Sequence, residues 1–139
     1  MSLVKTLQFN RISDNRGQLI SLDSNSNIPF DIKRVYYIYN MTVGVCRGFH
    51  AHKNLEQVLI CTSGSCKILL DDGSEKQEIN MNLPNQGLLV GPMIWGETYD
   101  FSPDCVLMVL ANDYYDEKEY IRNYQEFLDY ILAYEGEKY

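Results

Sequence analysis

The sequence predicts a mostly β protein, a sandwich of short strands followed by one C-terminal helix. Three observations predict it. Short runs rich in Val, Ile, Leu, Tyr and Cys recur, among them "RVYYIY", "EQVLICT", "CKILL", "QGLLVG", "MIWGETYDF" and "CVLMVLA", and Gly, Asn, Asp and Pro break them apart. Two of the runs show how strands sit in such a structure: "CVLMVLA" is apolar almost throughout, as for a strand packed on both faces, whereas "KQEINMN" alternates, as for a strand with one wet face. The tail "DEKEYIRNYQEFLDYILAYEG" then changes period, with apolar and aromatic residues at three- and four-residue steps.

Taken in order, "LVKTLQFNRISD" is an extended start that can add a strand to an open sheet edge. "RVYYIY" and "RGFHAH" read as the next strands. Residues 56–79 read as a three-stranded meander, because "SGS" at Ser63–Ser65 and "DDGS" at Asp71–Ser74 offer glycine where a tight turn needs positive φ. Three further strands lead into the tail, whose stripe consists of Tyr120, Tyr124, Phe127, Leu128, Ile131 and Leu132. Asp116 with Glu119 has the spacing of a capping box, and Gly136 marks a helix stop. At 139 residues, without repeat or linker, residues 1–139 are expected to form a single domain.

Composition narrows the function classes. Twelve Lys and Arg against 19 Asp and Glu leave a net charge of -7, which argues against a broad nucleic-acid-binding face. No apolar run reaches membrane-spanning length, and the start lacks the pattern of a signal peptide, so a soluble, cytoplasmic protein with no membrane partner is expected. Cys46, Cys61, Cys66 and Cys105 form no C-x-x-C pair, and all four are expected to be reduced and buried.

The chemistry concentrates in "RGFHAHKNLEQ", which holds both histidines of the chain. On a strand His50 and His52 point the same way, roughly 7 Å apart at Cα, and so are able to line one cavity. Arg47 carries a fork of donors suited to a phosphate group or to a surface ion pair, and Gly48 permits close approach of backbone and ligand. Arg34 and Tyr36 share a strand face, which leaves Tyr37 on the other as the expected core residue. Gln57 suits a hydrogen-bonding ligand group or a polar edge, and Lys53 is expected to be solvated. Trp95 offers a flat ring on which a ligand could stack, or else a buried indole, and Glu97 shares its strand face.

The run from Gly44 through His50, His52 and Glu56 to Gly64 resembles the first histidine motif of the cupin superfamily, with one extra residue before the glycine. Metal-binding cupins bring another histidine from a second motif; the matching stretch here, "GLLVGPMIWGETYDF", has none. A stable metal site wants three or four well-placed ligands, so none is expected, although Glu56 with the two histidines would make a facial triad. More specifically, "PFDIKRVYYIY", "RGFHAHKNLEQVLICTSGSCKILLDDG", "GPMIW" and "YYDEKEYIRNYQEF" together resemble the dTDP-sugar 3,4-ketoisomerases, over residues 28–130.

That resemblance implies a cupin jelly roll that needs no metal or other cofactor, assembled as a homodimer that exchanges N-terminal strands. It implies conversion of dTDP-4-keto-6-deoxy-D-glucose into a 3-keto-6-deoxyhexose for deoxyamino-sugar biosynthesis. It also implies His50 as the base, Tyr36 as a second catalytic group, and Arg47 and His52 completing the site. Arg16, in "DNRGQL", falls in the region that related deoxysugar cupins use to reach nucleotide. The chemistry suits these types. Moving a ketone from C4 to C3 requires one proton to leave C3 and one to reach C4 through an enediol or enediolate. An imidazole with a pKa of about 6.5 can do both, and a phenol can donate to the oxygen that gains charge. The rivals are a 3,5-epimerase of similar sugars, a metal-dependent cupin dioxygenase and a non-catalytic sugar-nucleotide-binding cupin.

Overall fold

A computed structural model describes residues 3–137. Twelve strands and one helix appear in chain order: β1 Lys5–Gln8, β2 Ile12–Asp14, β3 Gly17–Leu19, β4 Arg34–Ile38, β5 Arg47–His52, β6 Gln57–Ser63, β7 Cys66–Asp71, β8 Lys76–Met81, β9 Gln86–Val90, β10 Trp95–Tyr99, β11 Val106–Ala111, β12 Tyr120–Ile121 and α1 Tyr124–Glu137. Two five-stranded sheets, ordered β1-β9-β6-β11-β4 and β12-β5-β10-β7-β8, form the two layers expected of a jelly roll. Every pairing within them is antiparallel.

Apolar residues from both inner faces fill the space between the sheets, among them Leu59, Ile68, Leu70, Leu88, Leu107 and Val109. The outer face of the first sheet is also covered: Val58, Ile60 and Leu110 pack beneath Phe9, Ile28 and Phe30 of the N-terminal segment. β6 and β11 are therefore apolar on both sides, which is the origin of the unbroken run "CVLMVLA". β8 lies at an edge and alternates between exposed and half-buried positions. Helix α1 closes the outer face of the second sheet, where Phe127 is fully buried against Trp95, Ala51 and Ile121.

Several local expectations need correction. Residues 56–79 are not a continuous meander: β6 belongs to the first sheet and β7 to the second, so the "SGS" turn steps across the sandwich, and only β7 and β8 pair. A glycine turn looks the same in sequence for either path. Tyr120 lies in β12 rather than in the helix, and Leu132 is exposed. Asp116 caps a short 3₁₀ turn, accepting from the Lys118 amide, while the Glu119 carboxylate reaches the Asn54 and Leu55 amides instead of closing a capping box. The cap of α1 is Asn123, whose side-chain oxygen accepts the Glu126 amide at 3.0 Å. The helix runs one residue past Gly136.

Candidate functional site

The histidines enter the sandwich because β5 carries a bulge. Thr98 of β10 stands opposite Arg47, Glu97 opposite Gly48, and Gly96 opposite His50, so Phe49 is the extra residue. Gly48 and Phe49 both have positive φ, +89° and +57°. A Cβ on Gly48 would lie 2.8 Å from the Gly96 carbonyl oxygen, so this position needs glycine for its conformation and for its clearance. Arg47 and His50 are three residues apart and would face opposite sides of a regular strand; the bulge turns both toward the interior, where both line one cavity.

That cavity has a free volume of about 90 Å³. Its floor is apolar, made by Ile38, Leu59, Ile68, Leu70, Leu107 and Val109, and its polar groups are Tyr36, Arg47, His50, His52, Gln57 and Thr98. The volume is far below the roughly 300–1,000 Å³ of a pocket enclosing a drug-sized ligand, so it suits one end of a substrate, with the remainder at the mouth.

His50 Nδ1 lies 3.0 Å from the Gly48 carbonyl oxygen. Only a protonated nitrogen can donate there, so Nδ1 carries the hydrogen and Nε2 keeps its lone pair. Burial lowers the His50 pKa, opposed in part by the bond to Gly48, and the imidazole is neutral at pH 7. His52 is almost fully buried; burial, then His50 and the Arg34 and Arg122 charges, lower its pKa to about 3. Its Nε2 has no hydrogen-bond partner. The two imidazoles sit edge to face, 4.9 Å apart at their centroids.

Tyr36 comes from β4 on the opposing sheet. Gln57 Nε2 donates to its hydroxyl at 3.1 Å, which leaves the phenolic hydrogen free to be given elsewhere. Burial, reinforced by Tyr120, raises its pKa, so it remains a neutral donor. The Arg34 guanidinium lies 4.4 Å over the Tyr36 ring and 5.2 Å over that of Tyr115, with one buried Nη1 unpartnered. Arg34 thus stands behind the tyrosine rather than in the cavity lining.

The sequence reading missed a group that closes the site. Tyr120, opposite His52 on β12, lies edge-on against both imidazoles at 4.5 and 5.1 Å. Arg122 covers its ring at 4.4 Å and is held by Glu117 through bonds of 2.7 and 2.9 Å; Tyr115 also donates to Glu117. The available signal was the dense block "YYDEKEYIR", read there as the start of a helix.

Other expected site residues fall elsewhere. Because Gly96 and Thr98 face the cavity, Trp95 and Glu97 face away, and the indole is a core residue under α1 whose nitrogen donates to Glu97 at 2.9 Å. This corrects the substrate-facing assignment of Trp95. Tyr37 is 61% exposed, the reverse of the expected core position, because β4 is an edge strand and the outer face there is uncovered. Arg16 sits in the turn of the β2–β3 hairpin, paired with Asp14 at 2.6 Å and outside the cavity of its own chain. Lys53 is half-buried, with its ammonium 5.1 Å over the Tyr130 ring. Cys46 is exposed, unlike the other three cysteines. Glu56 lines a different recess, with Lys5 and Asp72, so it completes no facial triad with the histidines. Among the described residues no third His, Cys, Asp or Glu donor gathers with His50 and His52.

Comparison with known proteins agrees with this architecture. Residues 2–132 match the family model described as FdtA, WxcM-like, C-terminal. The chain is 55% identical over 134 residues to the TDP-4-oxo-6-deoxy-alpha-D-glucose-3,4-oxoisomerase of Aneurinibacillus thermoaerophilus, covering 96% of each. It belongs to the sugar-nucleotide 3,4-ketoisomerase family. Among solved structures, a 3,4-ketoisomerase from Helicobacter canadensis superposes with a TM-score of 0.90 at 51% identity, over 92% of this chain and 96% of that one. A histidine-to-asparagine mutant of the 3,4-ketoisomerase QdtA from Thermoanaerobacterium thermosaccharolyticum, in complex with TDP-4-keto-6-deoxyglucose, superposes with a TM-score of 0.91 at 46% identity, over 94% and 95%. Among the described residues no helix is long and apolar enough to cross a membrane.

Proposed function

We propose that this chain converts dTDP-4-keto-6-deoxy-D-glucose into the 3-keto isomer, with His50 as the single base. The observation that carries the reading is the His50 imidazole: neutral, fixed by its Nδ1–H on the Gly48 carbonyl, with a basic Nε2 in a cavity that also holds a neutral tyrosine hydroxyl. Nε2 takes the proton from C3, the electrons pass toward the C4 oxygen, and an enediol or enediolate forms. Tyr36 donates to the oxygen that gains charge, and the Gln57 amide keeps that hydroxyl aimed by using one of its lone pairs. The imidazolium then returns its proton at C4 while the C3 hydroxyl gives its proton to the Tyr36 oxygen, which leaves the ketone at C3 and both side chains as they began. This requires both carbons to lie within reach of one nitrogen on one sugar face. General acid–base catalysis of this kind contributes roughly 10²- to 10⁴-fold.

The apolar floor suits the methyl group of a 6-deoxy sugar, which has no hydroxyl to satisfy there. His52 Nε2, buried without a protein partner, supplies a hydrogen-bonding group for a sugar oxygen. Arg47 at the cavity wall offers its fork to the diphosphate. The product, a 3-ketone, is the substrate type required by an amine-transferring enzyme of deoxyamino-sugar assembly.

The assembly is read as a homodimer. Its support is surface that the chain leaves uncovered: Val35 and Tyr37 on edge strand β4, and Ile12 and Leu19 on the β2–β3 hairpin. β1 lies on β9 of its own chain, so the segment left for exchange is the hairpin rather than the first strand. Arg16 at its tip would then reach a partner's nucleotide site.

The test is NMR of the 4-keto sugar incubated with protein in deuterated water. Native protein moves the ketone to C3, His50→Asn loses at least about 100-fold in kcat with KM little changed, and His52→Asn loses less. Inversion at C5 would assign the 3,5-epimerase instead, and binding without product a non-catalytic sugar-nucleotide protein. A near-native rate for His50→Asn with an inactive Tyr36→Phe would transfer the base to the tyrosine or His52.

A further inference from the structure

Cys61, Cys66 and Cys105 bring their sulfurs within 4.8 Å of one another in the core, behind the apolar floor of the histidine-lined cavity and not among its lining residues. All three are essentially inaccessible. Cys61 lies four residues along β6 from Gln57, roughly 13 Å at the strand rise. The three come from different places: β6 of the first sheet, the first residue of β7 in the second, and the residue before β11. The proposed ketone transfer uses none of them.

We propose that these three thiols form a trigonal all-sulfur site for a thiophilic trivalent metalloid, trivalent arsenic in the form of arsenite being the probe. Geometry supports three-coordination. An ion bonded to three sulfurs at about 2.3 Å in one plane holds them about 4.0 Å apart, and a pyramidal ion somewhat closer. Cys61 and Cys105 already stand at 3.8 Å, and the remaining separations are all within 4.8 Å. Small rotamer adjustments close the triangle.

Charge selects the ion. The cluster packs with Leu59, Ile68, Met81 and Leu107, and the charged side chain that acts on Cys61 and Cys105 is the Asp104 carboxylate, which opposes further negative charge. Three thiolates around a divalent ion leave one net negative charge there, and around a monovalent ion two, each costly to bury without a partner. A trivalent metalloid leaves none. The exchange is As(OH)₃ + 3 RSH → As(SR)₃ + 3 H₂O, in which three As–O and three S–H bonds are replaced by three As–S and three O–H bonds. Each thiol proton leaves in water, arsenic stays trivalent, and no oxidant is needed. Two of the thiols rest protonated: burial pushes Cys105 up to about 12, and Cys66 is raised further by its bond with Cys61 and by burial. Cys61 is lowered to about 7, chiefly by the bond from Cys66, so it is the sulfur that attacks arsenic first, and where it is already ionised the exchange takes the missing proton from solvent. Cys61 donates to the Ser63 carbonyl.

Entry is short. Ser63 and Gly64 follow Cys61 and form the turn into Cys66, and Ser102 bonds that turn through the Ser65 amide and carbonyl. Opening that one turn exposes the sulfurs. A bound ion would bridge the two sheets at this end of the sandwich.

The test uses the full chain with Cys46→Ser, which removes the exposed thiol. Incubated with arsenite and read by intact mass under non-denaturing conditions, it should gain one arsenic and lose three hydrogens, with three thiols protected from titration and a higher Tm. Cys61→Ala, Cys66→Ala and Cys105→Ala should each lose the adduct at least about 10-fold in affinity, and circular dichroism with ketone-transfer rate identifies which of them are folded. Zinc alone should bind at least about 10-fold more weakly than arsenite. No adduct on folded protein, a gain retaining a hydroxyl on arsenic with only two thiols protected, an adduct kept in all folded alanine variants, or tighter zinc than arsenite would each overturn the proposal.

Discussion

Gly48→Ala tests the bulge that aims His50, and its cost divides into two measurable parts. The first is the left-handed backbone, φ +89° at Gly48, which disfavours any Cβ by roughly 1–2 kcal/mol. The second is the contact: the new Cβ meets the Gly96 carbonyl oxygen at 2.8 Å and Glu97 Cα at 3.3 Å, both backbone atoms unable to rotate aside. Overpacking of that sort costs about 1–3 kcal/mol more. Gly44 supplies the control, since it has φ +81° and nothing within 4 Å of an added Cβ. At about 2.1 cal/mol/K per residue, 139 residues give close to 0.3 kcal/mol/K, so Gly44→Ala should lower Tm by about 3–7 °C and Gly48→Ala by about 7–17 °C. Activity should separate them further. The strain at position 48 moves the carbonyl that holds Nδ1, and a misplacement of order 1 Å costs roughly 100-fold in rate, whereas Gly44→Ala should retain kcat. Differential scanning fluorimetry and NMR progress curves make the comparison. Equal Tm losses with undiminished kcat in Gly48→Ala would show that the bulge does not position His50 for the proposed reaction.

Three further outcomes are expected. Exhaustive treatment with chelator should leave ketone transfer intact, because His50 and His52 gather no third donor among the described residues; loss of turnover restored by one divalent ion would contradict this. Stability should fall on acidification: His52 stays neutral in the fold down to about 3 but titrates at 6.5 when unfolded, so its contribution is complete above pH 6.5 and drains away below it, by up to about 1.4 kcal/mol per pH unit. Thermal melts from pH 7.5 to 5 should show that slope and a shallower one for His52→Asn, with His50, shifted the same way, retained in both. Light scattering at micromolar concentration should give a dimer that Tyr37→Glu on edge strand β4 weakens; a native monomer would refute the assembly.

Periodicity made most of the fold legible. "CVLMVLA" and "KQEINMN" reported correctly whether a strand has one covered face or two, because burial acts directly on side-chain type. Partner choice was less legible: the glycine at position 64 states that the chain turns, not which sheet it turns into, and the meander was misread for that reason. Tyr36 and Tyr37 show the same limit, since alternation separates their faces while only the edge position of β4 and the cavity beneath it decide which face is inside.

The residues of the candidate site divide by the same logic. His50 and His52 are two apart, and strand parity alone puts them together. Arg47 joins them only because one residue is added to β5, a shift that reverses the face of everything on one side of it. "RGF" carries the trace of that bulge as a glycine, yet glycine has many uses, and the requirement becomes specific only when the Gly96 carbonyl is seen 2.8 Å from where a Cβ would stand. Parity on β10 then follows from pairing with β5: Gly96 and Thr98 face the cavity opposite His50 and Arg47, which forces Trp95 and Glu97 outward onto the helix. The indole thus supports the site from behind, through Ala51 between the two histidines, and Tyr120 rather than Trp95 is the aromatic ring against the His50 imidazole.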